Sequence, residues 1–99
     1  MSHTCSSVLV RCIDFRLGKE ISNYLNTENL YGDIDIISIA GSTKSISQEN
    51  NSYAEGQVDL SKKLHNINKV ILMNHTDCGG YGGKDAFNSK EDELNQLYL

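Results

Sequence analysis

The sequence predicts an α/β domain built on a short, mainly parallel sheet with helices on both faces. Two observations carry this. Three short apolar runs, Ser7–Cys12, Ile34–Ala40 and Lys69–Asn74, have the length and β-branched content of buried strands. Between and after them lie segments of helical periodicity, giving the order β-α-β-α-β-loop-α. Strands alternating with helices pair in parallel through right-handed crossovers, and such a sheet is covered on both faces. No repeat, proline or low-complexity tract divides the 99 residues, so residues 1–99 read as a single domain.

Each element has its own signal. After the first strand, Leu17, Ile21, Tyr24 and Leu25 recur at i, i+4, i+7 and i+8, the stripe of an amphipathic helix. Asn26-Thr27-Glu28-Asn29 ends it, and Gly32-Asp33 leads into the second strand. A polar loop, Gly41–Asn51, follows. Ser52-Tyr53-Ala54-Glu55 fits a capping box at the start of a second helix. Leu60, Leu64 and Ile67 continue its apolar stripe. Gly56 is unusual there, because a helix-interior glycine costs about 1 kcal/mol relative to alanine; either a close backbone approach or simple tolerance explains it. Past the third strand comes the glycine-rich loop Cys78–Gly83. Ser89-Lys90-Glu91-Asp92 then caps a last helix carrying Leu94, Leu97 and Tyr98.

Composition excludes several function classes. A net charge of −4 and a pI near 5.2 do not suit a nucleic-acid or anionic-membrane surface. No apolar stretch approaches the roughly 20 residues that cross a bilayer. The start, Met1-Ser2-His3-Thr4-Cys5, lacks the pattern of a signal peptide, so a cytoplasmic location is expected. Three cysteines suit metal ligation or free thiols better than a disulfide framework. Cys5 reads as a free thiol in a frayed N-terminal segment, and His65 as a solvated residue near a helix end.

Cys12, His75 and Cys78 are the candidate metal ligands. Cys12 closes the first strand run; His75 and Cys78 follow the third. Parallel strands lying side by side bring their C-terminal ends together, where open α/β sheets place their sites. Two thiolates and an imidazole are ligand types that zinc favours, and the thiolate charges cancel that of the ion. With a fourth position open the set is catalytic in form; with a fourth protein ligand it is closed. Asp14, two residues after Cys12, can either bind the metal or pair with Arg16, which would hold it off.

The strings Cys12-Ile13-Asp14-Phe15-Arg16 and His75-Thr76-Asp77-Cys78-Gly79-Gly80, in this order and each after a strand, resemble the zinc signature of the β-class carbonic anhydrases. The resemblance runs from about Ser7 to Gly83. It implies a three-layer α-β-α fold, zinc on Cys12, His75 and Cys78, and reversible hydration of CO₂ to bicarbonate through zinc-bound hydroxide. It further implies that the dyad of Asp14 and Arg16 orients the nucleophile, and that Asp14 swings onto the metal in some members. The partners implied are CO₂ and bicarbonate, with a homodimer or higher homo-oligomer, no nucleic acid and no membrane.

The glycine loop lacks the spacing of a phosphate-binding loop. Its expected role is instead to bring backbone close to the metal, with the Gly79 and Gly80 amides toward the thiolates or a bound oxyanion and Tyr81 lining or covering the pocket. Ala40-Gly41-Ser42 matches part of the family's R-N-A-G-N strand-end motif, placing Gly41 at the pocket. Ser38 and Ile39 stand where that motif has arginine and asparagine, and the family's active-site glutamine and N-terminal helical arm have no counterpart. Three strands are also fewer than family members carry. The end at Leu99 therefore predicts either a C-terminally truncated chain or a compact one that completes its core with another subunit. Hydrolysis of COS or CS₂ by the same site, and a non-catalytic zinc-binding or bicarbonate-sensing module, are the alternative functions. A Cys12/Cys78 redox dithiol is disfavoured by the absence of C-x-x-C.

Overall fold

Val8, Leu9 and Val10 are completely buried, and they form the centre of β1 (Ser7–Arg11). A computed structural model describes residues 3–44 and 53–97. β1 is flanked by β2 (Ile34–Ser38) and β3 (Lys69–Leu72), both parallel to it, in the order β2-β1-β3. The register aligns Leu9 with Ile36 on one side and with Ile71 on the other. Backbone bonds from Ile39 N to Arg11 O and from Met73 N to Val10 O carry the pairing a residue beyond both edge strands.

The chain moves outward from β1 to β2, then back past β1 to β3. With crossovers of one hand, that reversal sends the connecting helices to opposite faces. A 3₁₀ turn (Phe15–Leu17) leads into α1 (Gly18–Thr27), whose Ile21 and Leu25 pack on Leu9. Leu17, Tyr24, Ile34, Ile71 and Met73 close around that cluster, so the predicted helical stripe is the core-facing one. The reversal also leaves β1 and β3 adjacent with their C-terminal loops diverging, and a crevice opens there.

α2 (Tyr53–His65) differs from its expected packing. Leu60 and Leu64 are exposed at 42% and 57%, while Ala54 and Ser61 are buried. The helix is rotated because Asp35, which side-chain alternation turns away from Leu9, takes hydrogen bonds from Ser61 Oγ and His65 Nδ1, each at 2.6 Å. Polar satisfaction thus overrides the leucine stripe, and His65 is a bonded residue rather than a solvated one. Cys5 is likewise not frayed: its amide donates to His65 O at 3.1 Å. An added Cβ at Gly56 would meet nothing within 4 Å, so tolerance explains that glycine. Ser52, the first residue of the expected capping box, lies outside the described residues, as do 45–51 of the polar loop and Tyr98.

α3 (Lys90–Leu97) begins as its sequence signal requires: Ser89 Oγ accepts from the Asp92 amide at 3.1 Å. It buries Leu97 and Glu93, whereas Leu94 stays exposed. Among the described residues no helix is long and apolar enough to cross a membrane.

Candidate metal centre

Cys12 is the first residue after β1, and its side chain turns into the crevice beside β3. The chain leaving β3 carries His75 and then Cys78, which N-caps a 3₁₀ turn (Gly79–Tyr81). Both cysteines are buried, at 3% and 2% exposure. Their sulfurs are 3.6 Å apart, and the ligand atoms of Cys12, His75 and Cys78 all lie within 4.8 Å of one another. The three residues expected to converge do so.

The histidine tests whether a metal fits. His75 Nδ1 lies 2.8 Å from Thr76 O, and a carbonyl only accepts, so Nδ1 carries the proton. Nε2 then presents a lone pair, and among the described residues it is the buried side-chain nitrogen or oxygen without a hydrogen-bond partner. Leaving such an atom unsatisfied costs about 1–3 kcal/mol. A soft divalent cation between this nitrogen and two thiols removes that cost, so the donor set fits zinc. Burial pushes the Cys12 thiol up, but the polar groups around it, the Gly41 and Asp14 amides among them, outweigh it and bring it down. Burial instead dominates at Cys78 and raises it. Cys12 is therefore the easier of the two thiols to ionise, as a ligand must.

Asp14 Oδ2 is 3.8 Å from His75 Nε2, at the edge of the ligand set. Arg16 grips it from outside: Nη2 donates to Oδ2 at 2.6 Å and Nε to Oδ1 at 3.0 Å. The Arg16 amide adds a third bond to Oδ1 at 2.9 Å. These contacts hold the Asp14 carboxyl well below the usual carboxylate range and keep Arg16 protonated. Arg16 Nη2 also donates to Asp77 O at 3.0 Å, tying the dyad to the loop that carries Cys78. Asp14, Arg16, Asp77 and Gly79 line an open cleft of about 680 Å³, whose apolar rim is Ile13 and Phe15.

The glycine loops meet across the site. Gly41 has φ +80°, and an added Cβ at Gly80 would sit 2.3 Å from Gly41 N and 2.9 Å from Ala40 C, all backbone. The Gly80 amide is directed at Cys78 and the Gly41 amide at both thiols. Gly79 meets nothing within 4 Å. Gly80→Ala is therefore expected to destabilise the fold by roughly 1–3 kcal/mol and to loosen the metal, while Gly79→Ala is nearly silent. Thermal melts and chelator challenge of the two variants check this. Tyr81 is not among the residues that line that cleft: Lys44 Nζ lies 5.4 Å from its ring centroid, and Phe87 packs beside it.

Several positioning residues carry no sequence signal. Ser42, in a left-handed conformation at φ 48°, places Oγ 2.5 Å from Met73 O and 3.1 Å from Val10 O, pinning the Gly41 loop over β1 and β3. Arg11 clamps the carbonyls of Cys12 and Asp14 at 2.6 and 2.9 Å. Buried Glu93 of α3 accepts the Asp77 amide at 2.6 Å, fixing the turn between His75 and Cys78. Short polar residues and a helix glutamate look like surface in a sequence; only the three-dimensional meeting of loops reveals them.

Fold and site together define a small parallel α/β protein with a two-thiol, one-imidazole centre at its topological switch point. The chain belongs to a carbonic-anhydrase-like family: the family model described as "Putative carbonic anhydrase" matches residues 2–97. Curated relatives are an uncharacterized protein of Rickettsia conorii and one of Rickettsia bellii, each 28% identical over 95 residues. The match covers 89% of this chain in both cases, and 51% and 58% of the relatives. The chain thus spans about half the length of the curated relatives it matches. No solved structure matches it significantly.

Proposed function

We propose that the protein is a zinc-dependent lyase of the β-class type, interconverting CO₂ and bicarbonate on a three-layer α-β-α domain. The observation that carries this reading is the orphaned His75 Nε2 beside two thiols 3.6 Å apart, with Asp14 held 3.8 Å away by Arg16. Cys12, His75 and Cys78 would hold the metal, which when bound supplies a Lewis acid that makes water nucleophilic near neutral pH. Arg16 keeps the Asp14 carboxylate turned from the ligand set, where it can accept a hydrogen bond from the attacking water. The apolar rim of Ile13 and Phe15 suits an uncharged substrate, and Gly79, which lines the cleft without a side chain, leaves room for it. Thiols this close require a reducing compartment to stay unpaired, which supports the cytoplasm. Zinc analysis with a stopped-flow CO₂-hydration assay tests the proposal; zinc-loaded protein without hydration activity overturns it.

One observation favours a second reading. At 3.8 Å from His75 Nε2, Asp14 needs only a small side-chain rotation to become a fourth ligand, which would make the centre a closed, non-catalytic zinc or bicarbonate-sensing module. The same cleft would also admit COS or CS₂, and parallel assays with these substrates separate the reactions.

The active form is a homodimer or higher homo-oligomer in this proposal. Phe15 is 88% exposed and Ile13 59% beside the cleft, and Val70 and Leu72 of edge strand β3 are about half exposed. Exposed apolar residues at a site mouth and along a sheet edge support a partner surface there. Light scattering at micromolar concentration should give at least twice the chain mass, and a stable zinc-loaded monomer counts decisively against it.

A further inference from the structure

A second set of metal-type side chains lies at the opposite end of β1. Cys5 stands two residues before β1, Asp35 is the second residue of β2, and His65 is the last of α2. Their ligand atoms all lie within 4.8 Å of one another. Backbone and side chains together gather the three segments. Cys5 N donates to His65 O at 3.1 Å, Ser6 N to Asp33 O at 3.2 Å, and Asn68 N to Ser6 O at 3.0 Å. Ser61 fixes the carboxylate from below through its 2.6 Å bond to Asp35 Oδ2. The trio is thus preorganised, which is what a cation site requires and what scattered surface carboxylates lack.

Cys5 Sγ donates weakly to Ser7 O at 3.5 Å and also bonds the Asp35 carboxylate, so the thiol joins the Asp35–His65 pair rather than standing apart from it. A divalent cation would take a thiolate and a carboxylate together with an imidazole, and their charges cancel its own. The same balance holds at Cys12, His75 and Cys78. The His65 and Asp35 side chains are 35% and 31% exposed, so water reaches a fourth position. One sulfur, one nitrogen and one oxygen donor suit a borderline cation better than Mg²⁺ or Ca²⁺.

We propose that Cys5, Asp35 and His65 form a second divalent-cation site, suited to zinc, with one position open to solvent. It does not rest on the proposed reaction, because it shares no residue with the first centre and lies roughly 20 Å away by the rise of a strand. A cation there would fasten the segment before β1 to both β2 and the end of α2. With one thiolate and greater exposure, it is the weaker site of the two.

Cobalt titration of the full chain tests this, with native mass spectrometry counting bound ions and near-ultraviolet thiolate-to-cobalt absorption reporting sulfur ligation. Wild type is expected to take up two Co²⁺ per chain at saturation. Cys5→Ser and His65→Gln should each lose the weaker equivalent and keep the tighter one, with reduced thiolate absorption in Cys5→Ser. Uptake and absorption unchanged by both substitutions overturn the proposal. So does a wild-type chain taking up a single Co²⁺ that Cys78→Ser abolishes. Failure of the first centre alone looks different: the bound ion then depends on Cys5 and not on Cys12 or Cys78.

Discussion

Cys78→Ser is expected to strip the tightly held zinc from the protein and to remove the stabilisation that zinc confers. Cys78 is 2% exposed and 3.6 Å from Cys12, so its sulfur cannot be replaced by solvent without opening the loop. A serine hydroxyl at neutral pH brings neither the softness nor the negative charge of a thiolate. Losing even a residue that merely supports a ligand weakens metal binding about 10–100-fold, and losing a ligand is worse. Zinc at a hundredfold excess over its dissociation constant stabilises the folded state by about 2.7 kcal/mol, which in a chain of this size is roughly 10–20 °C. Most of that zinc-dependent rise should vanish in Cys78→Ser and in Cys12→Ser, measured as melts with and without added zinc, leaving only what the weaker site at Cys5, Asp35 and His65 supplies. Retention of the tight zinc by either variant under chelator challenge would mean that these cysteines do not hold it.

Both the centre and its sheet were legible because each is written in short, strongly typed strings. Val8-Leu9-Val10 has the length and β-branched content of a buried strand, and Cys12, two residues on, falls at its end. The same logic applied to His75 and Cys78, and the switch-point geometry of β1 and β3 did the rest. Legibility failed where a polar contact decided packing. Asp35 reads as one polar residue in an apolar run, yet its bonds to Ser61 and His65 rotate α2 and leave Leu60 and Leu64 in the open. Ser42, Arg11 and Glu93 escaped for a related reason. Their partners are backbone groups of distant loops, and backbone has no sequence identity to match.

Arg16→Ala is expected to abolish hydration activity while leaving the metal in place. The sign of the Asp14 shift shows why. A carboxyl held below its ordinary pKa contributes stability that is complete above the unfolded value of about 3.9 and is lost as pH falls through the folded value. Across about pH 6.5 to 9, Asp14 is ionised with or without Arg16, so protonation cannot explain a loss of activity there. What changes is position: an unheld carboxylate, 3.8 Å from His75 Nε2, is free to turn onto the ligand set and fill the fourth place. Arg16→Lys keeps the charge but not the two-pronged grip, and should recover activity only in part. Asp14→Asn should also keep metal, since three ligands remain, and lose activity because an amide no longer accepts and orients as the carboxylate does. Cobalt-substituted protein adds a reading independent of turnover, because Arg16→Ala should shift the metal spectrum toward the closed form and Asp14→Asn should not. Stability separates the effects as well: the gap between wild type and Arg16→Ala should close as pH is lowered below about 4, where Asp14 gains its proton in the variant first. Unchanged turnover in either Arg16→Ala or Asp14→Asn would strip the dyad of its role. Wild-type activity confined to alkaline pH would instead place Asp14 on the metal at neutrality, and the protein would be a latent enzyme opened by base.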